Sequence, residues 1–176
     1  MTQLAPLEAI LERHRADLAD DFTAYRNHAC RVATICLSQV GADGDAAEVV
    51  AITAAFHDLG IWVARTFDYL EPSVGLARTY LDASGRAAWL PAVTAAIREH
   101  HRITPYRGEH AWLVEPFRRA DWMDVSGGLA AWGMSRERYL AARARWPGAG
   151  FHRLLARLAW RHARRHPLNP LPMLKL

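Results

Sequence analysis

An ionisable pair, His57-Asp58, interrupts one of the most apolar stretches of this 176-residue chain, AITAAFHDLG. Such a stretch belongs in the interior of a folded protein. Burying an imidazole beside a carboxylate costs free energy unless the groups are paired or bind a metal ion. Any fold open to this chain must therefore bring partners for His57 and Asp58 into its core.

Helical periodicity identifies candidate partners, because successive residues on a helix are turned by about 100°. In DFTAYRNHACRVATICLSQV, His28 falls at the edge of the apolar arc. In AWLVEPFRRADWMD, Asp121 and Asp124 fall on the apolar arc. In LPAVTAAIREHH, His101 is predicted near the centre of the apolar stripe and His100 at its edge. Hydrophobic patterning therefore directs all these groups towards one core.

Four of the groups form a coherent set of metal ligands: His28, His57, Asp58 and Asp121. Two imidazoles and two carboxylates suit a divalent ion, and Mn, Fe, Mg, Co, Ni and Zn are all compatible. Gly60 is typical of a helix C-terminal stop, which places Asp58 in a last turn where the helix dipole disfavours an anion. A bound cation removes that conflict, so we predict a divalent metal site.

Helical patterns dominate the chain, and no convincing alternating strand pattern is evident, which predicts an all-α fold. We expect a single domain over residues 1–176, with a tail from about 167 whose prolines prevent continuous helix. The predicted helices are Leu4–Leu18, Asp21–Val40, Asp45–Leu59, Pro72–Leu81, Trp89–His101, Trp112–Asp124, Ser135–Arg145 and Gly150–His166.

The order of the four ligands resembles the HD superfamily of metal-dependent hydrolases, defined by a His…His-Asp…Asp pattern. His28 matches the first histidine, His57-Asp58 the central pair and Asp121 the final aspartate. The resemblance spans roughly residues 22–124. It implies a helical bundle with a central metal site, and activity as a metal-dependent phosphohydrolase on a small phosphate ester or nucleotide.

The His100-His101 pair resembles the extra histidines that some HD members place near a second metal or the substrate. Two departures from the family also stand out. Ile61 occupies a position where several nucleotidase-like members carry a carboxylate, and no histidine lies between Asp58 and His100. We therefore expect one tightly held metal ion per chain.

The expected mechanism gives each polar group a role. Asp58 or a nearby acid orients the attacking water, and His100 or His101 protonates the leaving oxygen or neutralises charge on the phosphoryl group. Asp68, in RTFDYLEPS, is a candidate replacement for the missing acid, although a plain loop with an acidic helix cap is the alternative interpretation.

Two further residues are candidate substrate contacts. Arg118 could reach over the metal rim and bind a phosphate in bidentate fashion, or it could lie on a solvated helix face. Tyr106 belongs to the polar loop HHRITPYRGEH, which is a candidate lid over the site.

Other chemistries stay open on the same ligand set. The HD fold is also used by di-iron oxygenases and by a hydratase of small nitriles. A metal-organised module that senses an anionic ligand without catalysis is a third hypothesis.

The bulk properties agree with a small enzyme of the cytoplasm. A net charge of +4 and a pI of about 9.5 favour a small anionic substrate without demanding nucleic acid, which is not an expected partner. With no evident run of about 18 apolar residues and no secretory signal, no membrane segment is expected. Cys30 and Cys36 are expected to be reduced core residues, and Trp122, off its apolar arc, is a candidate homodimer contact.

Overall fold

The computed structural model describes residues 3–41 and 44–174, and these form ten α-helices with no β-strand. The predicted all-α class is therefore confirmed. Two short 3₁₀ turns, Ala19–Asp21 and Ala87–Trp89, complete the helical elements. The helices are α1 (Ala5–Arg13), α2 (Arg15–Leu18), α3 (Phe22–Val40), α4 (Gly44–Phe56), α5 (Gly60–Val63), α6 (Leu70–Ala83), α7 (Leu90–Glu99), α8 (Ala111–Val125), α9 (Arg136–Arg145) and α10 (Phe151–Arg165).

Helix α3 lies at the centre of the bundle. It packs most extensively against α8 and α4, while α7 packs between α6 and α8, and α1 covers α4. Helix α4 is buried on nearly every side, since all its residues from Val49 to Phe56 are buried. A helix that is apolar all round belongs inside a fold, and this burial explains the AITAAF sequence.

Two predicted helices are interrupted where the sequence pattern runs on. The first breaks near His14, so that α1 ends at Arg13 and α2 begins at Arg15. The third ends at Phe56 rather than Leu59, and a short helix, α5, follows after a turn at 57–59. The apolar pattern continues through both breaks because the segments on either side contribute to the same core. The pattern of apolar residues therefore could not locate the ends of these helices.

The stretch Gly44–Val63 is long and apolar enough to cross a membrane by length and composition alone, with a mean hydropathy of 1.4. The expectation that no such run exists is therefore wrong. However, 78% of its most apolar window is buried inside the molecule. That burial is what a core helix requires, because its apolar surface already packs against the rest of the bundle.

The proline-punctuated tail returns to the body of the molecule. Met173 is only 5% exposed and packs in a small cluster with Ile61, Tyr69 and Leu70. The tail thus covers the segment that follows the His57-Asp58 turn.

Candidate metal centre

The turn after α4 holds His57 by its backbone and its ring. The His57 N–H donates to the Thr53 carbonyl at 2.9 Å, which continues the helical bonding for one more residue. Its ring nitrogen Nδ1 lies 2.8 Å from the Ala54 carbonyl. A carbonyl can only accept, so Nδ1 carries the proton and Nε2 presents a lone pair away from the helix.

Tyr25, on α3, fixes the position of Asp58. Its hydroxyl donates to the Ala55 carbonyl at 3.0 Å and accepts from the Asp58 N–H at 3.3 Å. Burial and the Asp58 carboxylate raise the pKa of Tyr25 well above its usual value, so this hydroxyl stays protonated. Tyr25 thereby pins the buried backbone of the turn without contributing charge.

Gly60 has a different role from the predicted helix stop. It has no positive φ and begins α5 instead of ending α4. Its N–H donates to Ser73 Oγ at 3.0 Å. A Cβ here would lie 2.6 Å from the Tyr69 carbonyl oxygen and 2.8 Å from the Ser73 nitrogen. The glycine is thus required for close approach to the start of α6.

His28 is oriented by a buried ion pair. Its Nδ1 lies 2.7 Å from Asp124 Oδ2, and Arg31 binds the same carboxylate through Nε at 2.5 Å and Nη2 at 2.8 Å. All three side chains are at most 1% exposed. Because the Asp124 carboxylate accepts from Nδ1, the Nε2 atom of a neutral His28 also presents a lone pair.

The four predicted ligands come together at this point. The Nε2 atoms of His28 and His57 are 3.0 Å apart, although both are acceptors when the rings are neutral. Asp121 Oδ1 lies 3.4 Å from His28 Nε2 and 3.7 Å from His57 Nε2. Asp58 Oδ2 lies 3.3 Å from His57 Nε2 and 3.7 Å from His28 Nε2. Lone pairs converging at such distances repel one another unless a proton or a metal ion lies between them.

The other oxygens of the same carboxylates face a second pair of imidazoles. His100 donates Nδ1–H to the Ile97 carbonyl at 2.7 Å, which leaves its Nε2 lone pair 3.3 Å from Asp58 Oδ1. His101 Nδ1 lies 3.6 Å from Asp121 Oδ2. The carboxylates of Asp58 and Asp121 therefore lie between two pairs of histidines. One oxygen of each carboxylate faces His28 and His57, and the other faces His100 or His101.

Unsatisfied buried atoms are concentrated at this centre. Among the described residues, five buried side-chain nitrogens or oxygens lack a hydrogen-bond partner, and four of them are Asp58 Oδ1, His100 Nε2 and both carboxylate oxygens of Asp121. A folded protein rarely leaves such atoms without partners. Their chemistry fits a divalent ion, and the buried His/Asp groups could hold one.

Charge preferences agree with a cation site. Burial lowers the pKa of His28, but the nearby carboxylates of Asp121 and Asp124 outweigh it and raise the pKa to about 9. Burial raises the pKa of Asp58, but His57 and His100 bring it well below its usual value. The centre thus favours ionised carboxylates and a positive charge among the imidazoles.

The relative burial of His100 and His101 is the reverse of the prediction. His100 is fully buried, whereas the His101 side chain is 15% exposed. Helix α7 ends at Glu99, and although the His100 backbone keeps helical dihedrals, the helix gives way to a turn at these two residues. Burial and the neighbouring His100 lower the pKa of His101 to about 3, which keeps its ring neutral.

Tyr69 is the site residue that sequence analysis missed. It is 2% exposed, and its hydroxyl lies 2.7 Å from His101 Nε2. Asp68, the predicted acid next to it, is exposed and belongs to none of the three metal-capable groups. The sequence did contain a signal for Tyr69. It directly follows Asp68 in the loop after His57-Asp58, so its position made it as good a candidate as Asp68.

Arg118 is buried and does not lie on a solvated helix face. Only 2% exposed, it binds both oxygens of Glu115 at 2.8 Å and the carbonyls of Arg102 and Ile103 at 3.0 and 3.4 Å. Its guanidinium also lies 4.4 Å from the centroid of the Trp132 ring. These donors hold the loop after α7 and are not free for a phosphate.

Tyr106, the candidate substrate contact, and Trp122, the candidate homodimer contact, also pack against other parts of this chain. Tyr106 is half-buried against the core, and its N–H donates to Glu115 Oε2 at 2.9 Å. Trp122 is half-buried as well, donates its indole N–H to the Arg102 carbonyl at 3.3 Å and contacts the His101 ring. The loop from Arg102 to Tyr106 is therefore fastened to α8 on the side where His101 meets solvent.

Comparison with known proteins adds no assignment: no family model, curated protein or solved structure matches the chain. What the geometry establishes is an all-α fold enclosing a buried His/Asp cluster that could bind metal.

Proposed function

We propose that this protein is an HD-type metal-dependent phosphohydrolase acting on a small phosphate ester or nucleotide. The observation that carries the proposal is the convergence of His28, His57, Asp58 and Asp121 at the centre of a helical bundle, with their lone pairs directed at one another. Their order along the chain is the order of the HD superfamily, and the bundle is the architecture that the resemblance implies.

In this proposal, His28, His57, Asp58 and Asp121 hold a divalent ion. Such an ion polarises a phosphoryl oxygen and lowers the pKa of a bound water. Asp124 and the Ala54 carbonyl fix the ring orientations of His28 and His57, as second partners of metal-binding histidines commonly do.

Substrate would approach from the side of His101, the most exposed member of the cluster. Tyr69 positions this ring through its hydroxyl, and its own pKa is raised by burial and by Asp58, so the hydroxyl remains a hydrogen-bond donor. His101 and Tyr69 are thus proposed to contact the leaving group, in place of the acid that Ile61 does not supply.

The second candidate function is dinuclear chemistry, including that of the di-iron oxygenase branch. It is favoured by one observation: Asp58 Oδ1 faces His100, while Asp121 Oδ2 faces His101. Titration of metal into stripped protein separates the hypotheses. One tight ion retained in His100→Ala and His101→Ala favours the mononuclear hydrolase, whereas two tight ions, one lost in each variant, favour the dinuclear branch.

The direct test joins metal analysis of the purified protein to a screen of phosphate esters and nucleotides with Mn, Mg, Fe and Co. His57→Ala and Asp58→Ala should lose metal and hydrolysis while keeping helical circular dichroism. His110→Ala, which removes a histidine outside the cluster, is the matched control and should resemble wild type. Full metal content in both cluster variants would show that the ligand assignment is wrong. A metal-loaded protein that is inactive on every ester would exclude the proposed phosphohydrolase activity.

A further inference from the structure

A cavity lies on the far side of the aromatic residues that back the candidate metal centre. Its volume is about 460 Å³, within the range of small-molecule sites, and it opens between α10 and the segment after the His57-Asp58 turn. None of the predicted metal ligands lines it. Nothing in the proposed hydrolase mechanism uses it.

The lining of this cavity is strongly basic. Arg65, Arg157, Arg161 and Arg165 face it, against two aspartates, Asp17 and Asp21, which leaves a formal charge of +2 with its histidines neutral. Arg157 is paired with Asp21 at 3.4 Å. Within the described part of the chain, the other three arginines have no carboxylate partner. Three unpaired guanidinium groups around one concavity favour a multiply charged anion.

The floor of the cavity is apolar and aromatic. Ile61, Trp62, Phe67 and Leu158 form it, and Phe67 lies 5.5 Å from the ring of His162. This floor offers a surface for a planar or apolar group, which a simple inorganic anion would leave uncovered. The combination of a basic rim and an aromatic floor suits a ligand with both kinds of surface.

One layer of side chains separates the cavity from the metal centre. The Trp62 ring packs on Tyr25 with centroids 4.7 Å apart, and Tyr25 lies 6.0 Å from the His57 ring. Phe67 similarly lies 6.1 Å from Tyr69, which bonds His101. The cavity is therefore a site distinct from the cluster of ligands, although it shares a wall with it.

We propose that this cavity binds an organic phosphate. The phosphate groups lie on Arg65, Arg161 and Arg165, whose planar forks match phosphate oxygens, and the apolar or planar part of the ligand lies against Trp62 and Phe67. Binding requires no metal, since every group that contacts the ligand belongs to the cavity.

The test is calorimetric titration of chelator-treated protein with ATP, pyrophosphate and adenosine. ATP should bind saturably, pyrophosphate more weakly and adenosine not at all. The double variant Arg161→Ala/Arg165→Ala should weaken ATP binding by about tenfold or more, the consequence of losing charge-assisted hydrogen bonds. The control is Arg153→Ala/Arg164→Ala, which removes the same charge from the same helix outside the cavity and should bind like wild type.

Circular dichroism and thermal melting establish that both double variants are folded. His57→Ala should bind ATP as tightly as wild type, because it alters only the metal centre. Absence of saturable ATP binding to the chelated protein would overturn the proposal. So would equal weakening in the two double variants, or loss of ATP binding in His57→Ala, which would place the phosphate at the metal centre instead.

Discussion

At the residue scale, two aspartates on one helix show how little burial says about role. Asp121 and Asp124 are both fully buried on α8, and helical phase places both inward. Their bonding differs completely, because Asp124 is saturated by His28 and Arg31 while neither oxygen of Asp121 has a hydrogen-bond partner. Only Asp121 therefore has carboxylate lone pairs available for an ion.

This difference predicts separable effects of two matched substitutions. Asp121→Asn should abolish tight metal binding, because it removes a charged ligand. Asp124→Asn should keep a metal site weakened by about 10–100-fold, as is usual for a group that orients a ligand. It should also lower the free energy of unfolding by about 3–5 kcal/mol, since Arg31 loses its buried partner. Metal titration and denaturant unfolding measure the two effects, and equal loss of metal in both variants would contradict the distinction.

Helical periodicity placed most of the clustered residues in the core for a physical reason. His28, His57 and Asp121 lie within or directly after long helices whose apolar faces have a regular period, so phase places them in the core. His100 and His101 lie beyond the end of α7, where that period stops, and the sequence assigned their burial in the wrong order. Tyr69 was missed because its contact with His101 joins residues 32 apart in sequence.

At the element scale, the close approach of α5 to the start of α6 is what delivers Tyr69 to the site. Gly60 permits it, because the Tyr69 carbonyl occupies the space that a Cβ would need. No local pattern distinguishes this requirement from the helix stop that the same glycine suggests. The contact depends on how two helices cross, which a single sequence does not encode locally.

Gly60→Ala should therefore destabilise the protein by about 1–3 kcal/mol, the usual cost of forcing an extra carbon into a packed interior. The matched control is Gly75→Ala on α6, where a Cβ meets nothing within 4 Å. That substitution should be neutral or stabilise by up to about 1 kcal/mol through helix propensity. Chemical denaturation compares the two, and an unchanged midpoint for Gly60→Ala would show that the backbone contact yields freely.

Glu115 is one of three α8 side chains that attach the loop from Arg102 to Tyr106, together with Arg118 and Trp122. Burial raises the pKa of Glu115, but the hydrogen bonds from Arg118, the Tyr106 N–H and Arg119 outweigh it and lower the pKa from 4.5 to about 2. Because the folded pKa is the lower one, the stabilisation is fully present above about pH 4.5. It is lost as the pH falls towards 2.

Glu115→Gln should remove this part of the acid dependence. Wild type should be more stable than the variant by about 1–3 kcal/mol near neutral pH, the range for hydrogen bonds to charged groups. The difference should shrink steadily between about pH 4.5 and 2. Urea unfolding at several pH values measures it, and a gap independent of pH would show that the ion pair is not its source.

At the scale of the whole molecule, the candidate metal centre joins elements that are far apart in the chain. His28 comes from α3, His57-Asp58 from the turn after α4, His100-His101 from the end of α7 and Asp121 from α8. These helices surround the core, so the packing of the bundle is what brings the His/Asp cluster together. The sequence revealed both because each depends on the same helical periodicity, whereas the turn at 57–59 and the basic cavity depend on tertiary placement.

An ion bound by His28, His57, Asp58 and Asp121 would join α3, the turn after α4 and α8, and it should stabilise the entire fold. At a free metal concentration 100 times the dissociation constant, mass action adds about 2.7 kcal/mol to the free energy of unfolding. For a chain of this length, that corresponds to a rise in melting temperature of roughly 5–11 °C. Differential scanning calorimetry of stripped protein, before and after addition of Mn²⁺ or Fe²⁺, measures the rise. His57→Ala should show none, and a wild-type melting temperature insensitive to either ion would exclude a site that links these helices.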